Sequence, residues 1–213
     1  MPRTRTSNRE LFSLFRTAAT VDFCESCAQV CTGQCCADAL LDRARTQALQ
    51  LHSRSAAADN ASGIAVALEA ARIRTPTMPD GAGLAVGFLD AEEIGARGSA
   101  HHAPTVAPDT VVINVDGAQL GDAPTEAGGP AHALLAALDQ AGRETGVPPR
   151  AGAMASGNRR YAAAGLPAAG IGMGIPGYQT PAETADRVET HTLVAATRLV
   201  VATVRQLAGS VTG

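Results

Sequence analysis

The sequence predicts an α/β layer fold with a mainly parallel sheet, and three observations carry that expectation. Short runs rich in Val and Ile alternate with segments of helical periodicity. Two of those runs, "GLAVGFLD" and "TVVINVD", end in aspartate. Gly, Pro and Thr clusters at 74–82, 103–109 and 120–130 read as the loops between segments. Strands alternating with helices are the pattern of a sheet whose strands are joined by crossover helices.

In chain order, "NRELFSLFRTAA" follows Ser7, a helix-capping residue type, and reads as a helix. "CADALLDRARTQALQL" carries apolar residues at helical spacing and reads as a second one. The composition shifts near residue 50, so the expected organisation is a helical Cys-rich segment over 1–50 and an α/β domain over 51–213. "ASGIAVALEAARI" is a helix opening near Asp59 and Asn60, and "PAHALLAALDQAGRETG" has proline near its start and glycine at its end. "AAGIGMG" is a further short strand, and "THTLVAATRLVVATVRQLAG" a long closing helix. No repeat of fixed period is present.

Composition narrows the function classes. The chain has 213 residues, 46% of them hydrophobic, and a net charge of -3, which suits one substantial domain without a nucleic-acid or membrane footprint. All 17 basic residues are arginine, so a phosphate-loop lysine and Schiff-base chemistry are excluded. Aromatic residues make up 3% and tryptophan is absent, so the core has to rest on Ala, Val, Leu and Ile. The N-terminal "MPRTRTSNRELFSLFR" has no continuous apolar stretch of the signal-peptide kind, and no apolar run reaches the roughly 18 residues of a membrane span. A soluble, cytoplasmic protein is the expectation, with the oligomeric state left open.

The chemistry concentrates in carboxylates at strand ends. Ligands of open α/β sheets bind at the carboxyl ends of the strands. Asp59 precedes a helix, Glu92 and Glu93 follow one strand, and Asp116 ends the next, so all four can converge on one crevice. Carboxylates gathered there destabilise one another unless a cation neutralises them. His52 adds an imidazole, giving the mixed oxygen and nitrogen set that suits zinc or a similar ion. One of the adjacent glutamates can then bind metal while the other takes a proton from water. Taken singly, each acid also reads as a helix cap or a solvated strand end; the joint placement weakens that plain reading, and spacing alone leaves the two level.

Four blocks, "HSRSAAADNASGIAVALEAARI", "VGFLDAEEIGARGSAHHA", "VVINVDGAQLG" and "SGNRRYAAAGLPAAGIGMGIPGYQTPAETADRVE", resemble in order the motifs of the dinuclear zinc aminopeptidases. Bacterial leucyl aminopeptidases, carboxypeptidase relatives and glutaminyl cyclases belong to that group, and the resemblance covers about residues 52 to 210. It implies a mixed, mostly parallel sheet flanked by helices, and removal of an N-terminal residue from a peptide or small amide substrate. It further implies that Asp59 bridges two zinc ions, Glu92 is the general base, Glu93 binds the second zinc, and Asp116 and His52 bind the first.

The departures are specific. Ser53-Arg54-Ser55 follows His52 where the family carries an aspartate that orients the histidine, and such supporting groups matter for metal affinity. Gln179, in Tyr178-Gln179-Thr180-Pro181, stands where the last zinc-binding histidine is expected, and Gly157 stands at an aspartate position. Residues 1 to 50 carry no segment reading as a strand ahead of the histidine block. Counted this way, the first site keeps three protein ligands and the second loses its imidazole, so one zinc is expected with the second site in doubt.

The cysteines form a separate question. Cys24, Cys27, Cys31 and Cys35 make a stripe along one helix face, with Cys36 adjacent. A buried thiol-lined helix interface and a soft-metal cluster both fit that spacing. Three functions therefore stay in play: a metallopeptidase, a non-catalytic binding protein on a decayed peptidase fold, and a soft-metal or redox module carried by the cysteines. Ser62 reads as a helix-start residue and not a nucleophile, lacking a Gly-x-Ser-x-Gly context. His101, His102, His132 and His191 read as structural or solvent-facing.

Overall fold

"VVINVD" is apolar without alternation because its strand, β3 (Val111–Asp116), is covered on both faces, with Val112 to Val115 all buried. The computed structural model describes residues 10–17 as backbone and residues 57–117, 124–153, 156–172 and 184–210. Besides β3, the described strands are β1 (Glu10–Thr17), β2 (Ala82–Leu89), β4 (Pro124–Gly128), β5 (Arg150–Ala151) and β6 (Ala168–Gly172). They form one sheet in the order β2-β1-β3-β6-β4-β5. β2, β1, β3 and β6 run parallel to one another, β4 runs antiparallel to β6, and β5 runs with β4. The sheet is thus mixed and mostly parallel, as expected.

Helices cover both faces. α1 (Gly63–Arg74), α3 (His132–Thr145) and α5 (Thr190–Gly209) lie on one side, and the short α2 (Arg97–His102) and α4 (Asn158–Ala163) on the other. Strand periodicity assigns the contacts. Ile113, Val115, Ala169 and Ile171 join Val66, Leu134, Leu138, Leu199 and Val204 in the larger core, while Val112 and Ala168 face Tyr161 and Leu166 in the smaller one. Alanines at 67, 70, 137, 141 and 196 are buried among the three long helices, where small side chains let helices approach closely. No helix among the described residues is long and apolar enough to cross a membrane.

Two expectations are corrected. Glu10–Thr17 is a strand, not a helix, and its residues pair in register with β2 from Glu10↔Ala82 to Thr17↔Leu89 and with β3 from Phe12↔Val111 to Phe15↔Asn114. Apolar residues at 11, 12, 14 and 15 fit either period, so the decision falls to the two partner strands, both distant in sequence. Residues 1 to 50 therefore do supply a strand ahead of the histidine block. Residues 124–128, read as part of a loop, form β4, whose pairing with β6 from Thr125↔Ile171 to Gly128↔Ala168 overrides a sequence poor in strand formers. The cysteine segment (Cys24, Cys27, Cys31, Cys35 and Cys36) lies outside the described residues.

The two leucines of α3 separate burial from composition. Leu138 is 1% exposed and Leu135 is 45% exposed. Leu138→Ala is expected to cost about 2–5 kcal/mol in urea unfolding and Leu135→Ala less than about 1 kcal/mol.

Candidate functional site

Because β2, β1 and β3 are parallel, their carboxyl ends open on the same side of the sheet. Asp116 is the last residue of β3, and Asp90, Glu92 and Glu93 follow β2. Asp59 lies in the wide turn Ala57–Ser62 that leads into α1, where Asp59 (φ -107°, ψ 86°) and Asn60 (φ -144°, ψ 37°) are not helical and are joined by a cis peptide bond.

The Asn60 side chain ties this turn to the strand end. Asn60 is 2% exposed. Its Nδ2 donates to the Val115 carbonyl at 3.0 Å, and its Oδ1 accepts from the Gly117 N–H at 2.9 Å and from the Gly63 N–H at 3.0 Å. The residue after Asp59 is therefore bonded to the residues on both sides of Asp116. Gly63 permits the approach: a Cβ there would fall 2.3 Å from Asn60 Oδ1 and 2.8 Å from the Val115 carbonyl oxygen.

The glutamate pair is held differently, by a turn closed on itself. The Gly95 and Ala96 N–H groups donate to the Glu92 carbonyl at 3.0 and 2.7 Å, Arg97 N–H to Ala91 at 3.0 Å, and Gly98 N–H to Asp90 at 3.2 Å. Arg160, from α4, adds a hydrogen bond from Nη2 to the Gly95 carbonyl at 2.6 Å. Within the turn Glu93 is exposed and Glu92 partly buried.

Burial, followed by the charges of Asp116, Glu93 and Asp59, pushes the Glu92 carboxyl up to about 7. The four acids singled out in the sequence thus share one electrostatic neighbourhood. Their donor chemistry suits a divalent cation, which would relieve the mutual repulsion. Among the described residues, no three His, Cys, Asp or Glu side chains stand in an arrangement able to hold a metal ion. His52, Arg54 and Gln179, which bear on the ligand set read from the sequence, lie outside the described residues.

Sequence reasoning passed over the polar groups behind these acids. Asn114 is 2% exposed in the middle of β3, and its Nδ2 donates to Ser156 Oγ at 2.9 Å. A Cβ at Gly157 would lie 2.5 Å from Ser99 Oγ and 3.0 Å from Asn114 Oδ1, so an aspartate there would require these neighbours to shift. The visible signal was a lone asparagine inside an otherwise apolar run. His102, read from the sequence as structural, has its Nδ1 2.9 Å from the hydroxyl of fully buried Tyr161. His132 and His191 are exposed in the first turns of α3 and α5.

Comparison with known proteins follows the same lines. The sequence profile described as peptidase family M28 matches residues 39–204. No curated protein matches the sequence. Among solved structures, BSAP, a zinc aminopeptidase from Bacillus subtilis, superposes with a TM-score of 0.69 at 18% identity, covering 97% of this chain and 48% of that one. The aminopeptidase from Aneurinibacillus sp. strain AM-1 gives 0.66 at 21% identity, covering 96% and 45%. The Bacteroides thetaiotaomicron glutaminyl cyclase bound to N-acetylhistamine gives 0.63 at 18% identity, covering 93% and 73%. These likenesses establish the fold, and the chain spans about half the length of the first two.

The raised Glu92 carboxyl has a consequence for stability. Its proton affinity in the fold, near 7, exceeds the ordinary value of 4.5, so ionising it opposes folding. The penalty is absent below about pH 4.5, grows between 4.5 and 7, and is complete above 7. Glu92→Gln is expected to stabilise the metal-free protein by ~1–3 kcal/mol at pH 8 and to have no such effect at pH 4. Urea unfolding in chelator across that range measures it; a pH-independent difference would contradict the electrostatic account.

Proposed function

The chain belongs to peptidase family M28, and on that premise we propose that it is a metal-dependent peptidase of the aminopeptidase type, with zinc as cofactor and Glu92 as general base. The observation that supports the reading is the placement of Glu92, Glu93 and Asp116 at the carboxyl ends of parallel strands, with the charges of Asp116, Glu93 and Asp59 adding to burial in raising the Glu92 carboxyl. Ionising Glu92 there opposes the metal-free fold, and a bound cation would lower that cost.

Asp59, Asp116 and His52 would hold one zinc ion, and Asp59 and Glu93 would contribute to a second. Zinc, when bound, supplies Lewis acidity toward water and toward the scissile carbonyl. Glu92 takes a proton from the attacking water and passes it to the departing amine, two transfers that need a carboxyl able to change protonation state in the site. Its partial burial limits competing bulk water, and the closed turn from Asp90 to Gly98 keeps its backbone fixed during both transfers. The substrate is a peptide or a small amide.

Gln179 favours a second reading for the other zinc position, since an amide is a far poorer zinc ligand than an imidazole. On that reading the chain runs on one metal, or binds ligands on the peptidase fold without catalysis. The N-terminal cysteines are a separate candidate for soft-metal binding. Metal analysis of native and Cys→Ser protein separates zinc held by carboxylates from metal held by thiolates.

Activity is tested by zinc-dependent hydrolysis across a panel of aminoacyl-nitroanilides. Glu92→Gln is expected to keep bound zinc and lower turnover by roughly a hundredfold or more, since general-base catalysis contributes about 10²–10⁴. Glu93→Ala is expected to weaken zinc binding instead. If zinc-loaded wild type is no faster than Glu92→Gln on every substrate, the binding-protein reading takes over. Gln179→His is expected to raise the zinc content toward two per chain, as read by mass spectrometry of the native protein.

A further inference from the structure

Beyond the general base and the metal ligands, we infer that Asn60 is the positioning residue of the site: its side-chain amide sets the spacing between Asp59 and Asp116. The inference rests on the metallopeptidase reading for its consequence, and on hydrogen bonds alone for its geometry. Asp59 comes from the turn before α1 and Asp116 from the end of β3, two segments 57 residues apart. Neighbouring carboxylates repel, so each would relax away from the other if its backbone were free to move.

Asn60 opposes that relaxation from a fixed point. The Val115 carbonyl and the Gly117 N–H lie on either side of Asp116, and Asn60 bonds both, at 3.0 and 2.9 Å. Its Oδ1 also accepts the Gly63 N–H at 3.0 Å, which fixes the first turn of α1 to the same atom. Three backbone groups on two elements thus meet one amide that is 2% exposed. The amide needs both of its polar atoms. Aspartate keeps the acceptor and loses the donor to Val115; alanine loses both.

A merely structural role is separated from a positioning one by a matched control. Asn114 is equally buried, at 2% exposed, lies on β3, the strand that carries Asp116, and also donates a side-chain hydrogen bond, to Ser156. Asn60→Ala and Asn114→Ala should both lower the melting temperature. Zinc affinity, titrated calorimetrically on folded protein well below either melting point, should fall by thirtyfold or more in Asn60→Ala and stay within threefold in Asn114→Ala. Asn60→Asp should fall between wild type and Asn60→Ala. Where wild type binds zinc, equal losses in the two alanine variants, or no loss in Asn60→Ala, would overturn the inference.

A metal-free measurement keeps this distinct from failure of the peptidase reading. In chelator at pH 8, the melting-temperature changes of Asp59→Asn and Glu92→Gln should be non-additive, because the Asp59 charge acts on the Glu92 carboxyl. That coupling should fall by at least half in an Asn60→Ala background. Coupling that persists undiminished there overturns the positioning role. Wild type that binds no zinc but shows Asn60-dependent coupling overturns the metal reading and leaves the positioning role standing.

Discussion

The Asn60 amide is the joint on which the acid crevice depends, because it is where α1 and β3 become one rigid piece. Both polar atoms of its side chain are buried and engaged with backbone groups, so removing it would leave three main-chain partners to be satisfied elsewhere. Gly63 belongs to the same constraint, since any larger residue would push the helix start away from the strand. The backbone that carries Asp59 is thereby tied to the backbone on both sides of Asp116.

The site is also the place where the fold works against itself. A carboxyl raised to about 7 by burial and by three nearby acids is a local opposition to folding at neutral pH. The larger core offsets it. Ile113 and Val115 in β3 pack under α1, α3 and α5, directly below the end of the strand that carries Asp116. The strands stay anchored while their carboxyl ends hold a charge arrangement that water alone would disperse.

The two faces of the sheet play different parts. Three long helices cover one face and supply most of the buried residues of the larger core among the described residues. The other face has short helices, and its contacts include the polar set Ser99, Asn114 and Ser156 together with the Tyr161–His102 pair. α4 reaches from this face to the glutamate turn through Arg160 and to β4 through the ion pair of Arg159 with Glu126. The acids are therefore braced from both sides, by α1 through Asn60 and by α4 through Arg160.

Much of this was legible in the residues. Continuous Val and Ile runs ending in aspartate marked β2 and β3 as parallel strands, and helical periodicity with proline and glycine limits marked α3. The acid pair at 92 and 93 drew the reading to the carboxyl end of the sheet, for the reason that like charges rarely sit together without a counter-charge. β1 and β4 were not legible, because their conformation is set by hydrogen bonds to strands far away in the chain. Asn60 looked like a helix-start residue for the same reason: its partners at Val115 and Gly117 are invisible to local pattern. By itself the sequence determined which residue types could do the chemistry and at which strand ends they would stand. Tertiary structure alone decided that Asp59 and Asp116 would act on Glu92, because only the folded sheet brings those distant segments to the same strand ends.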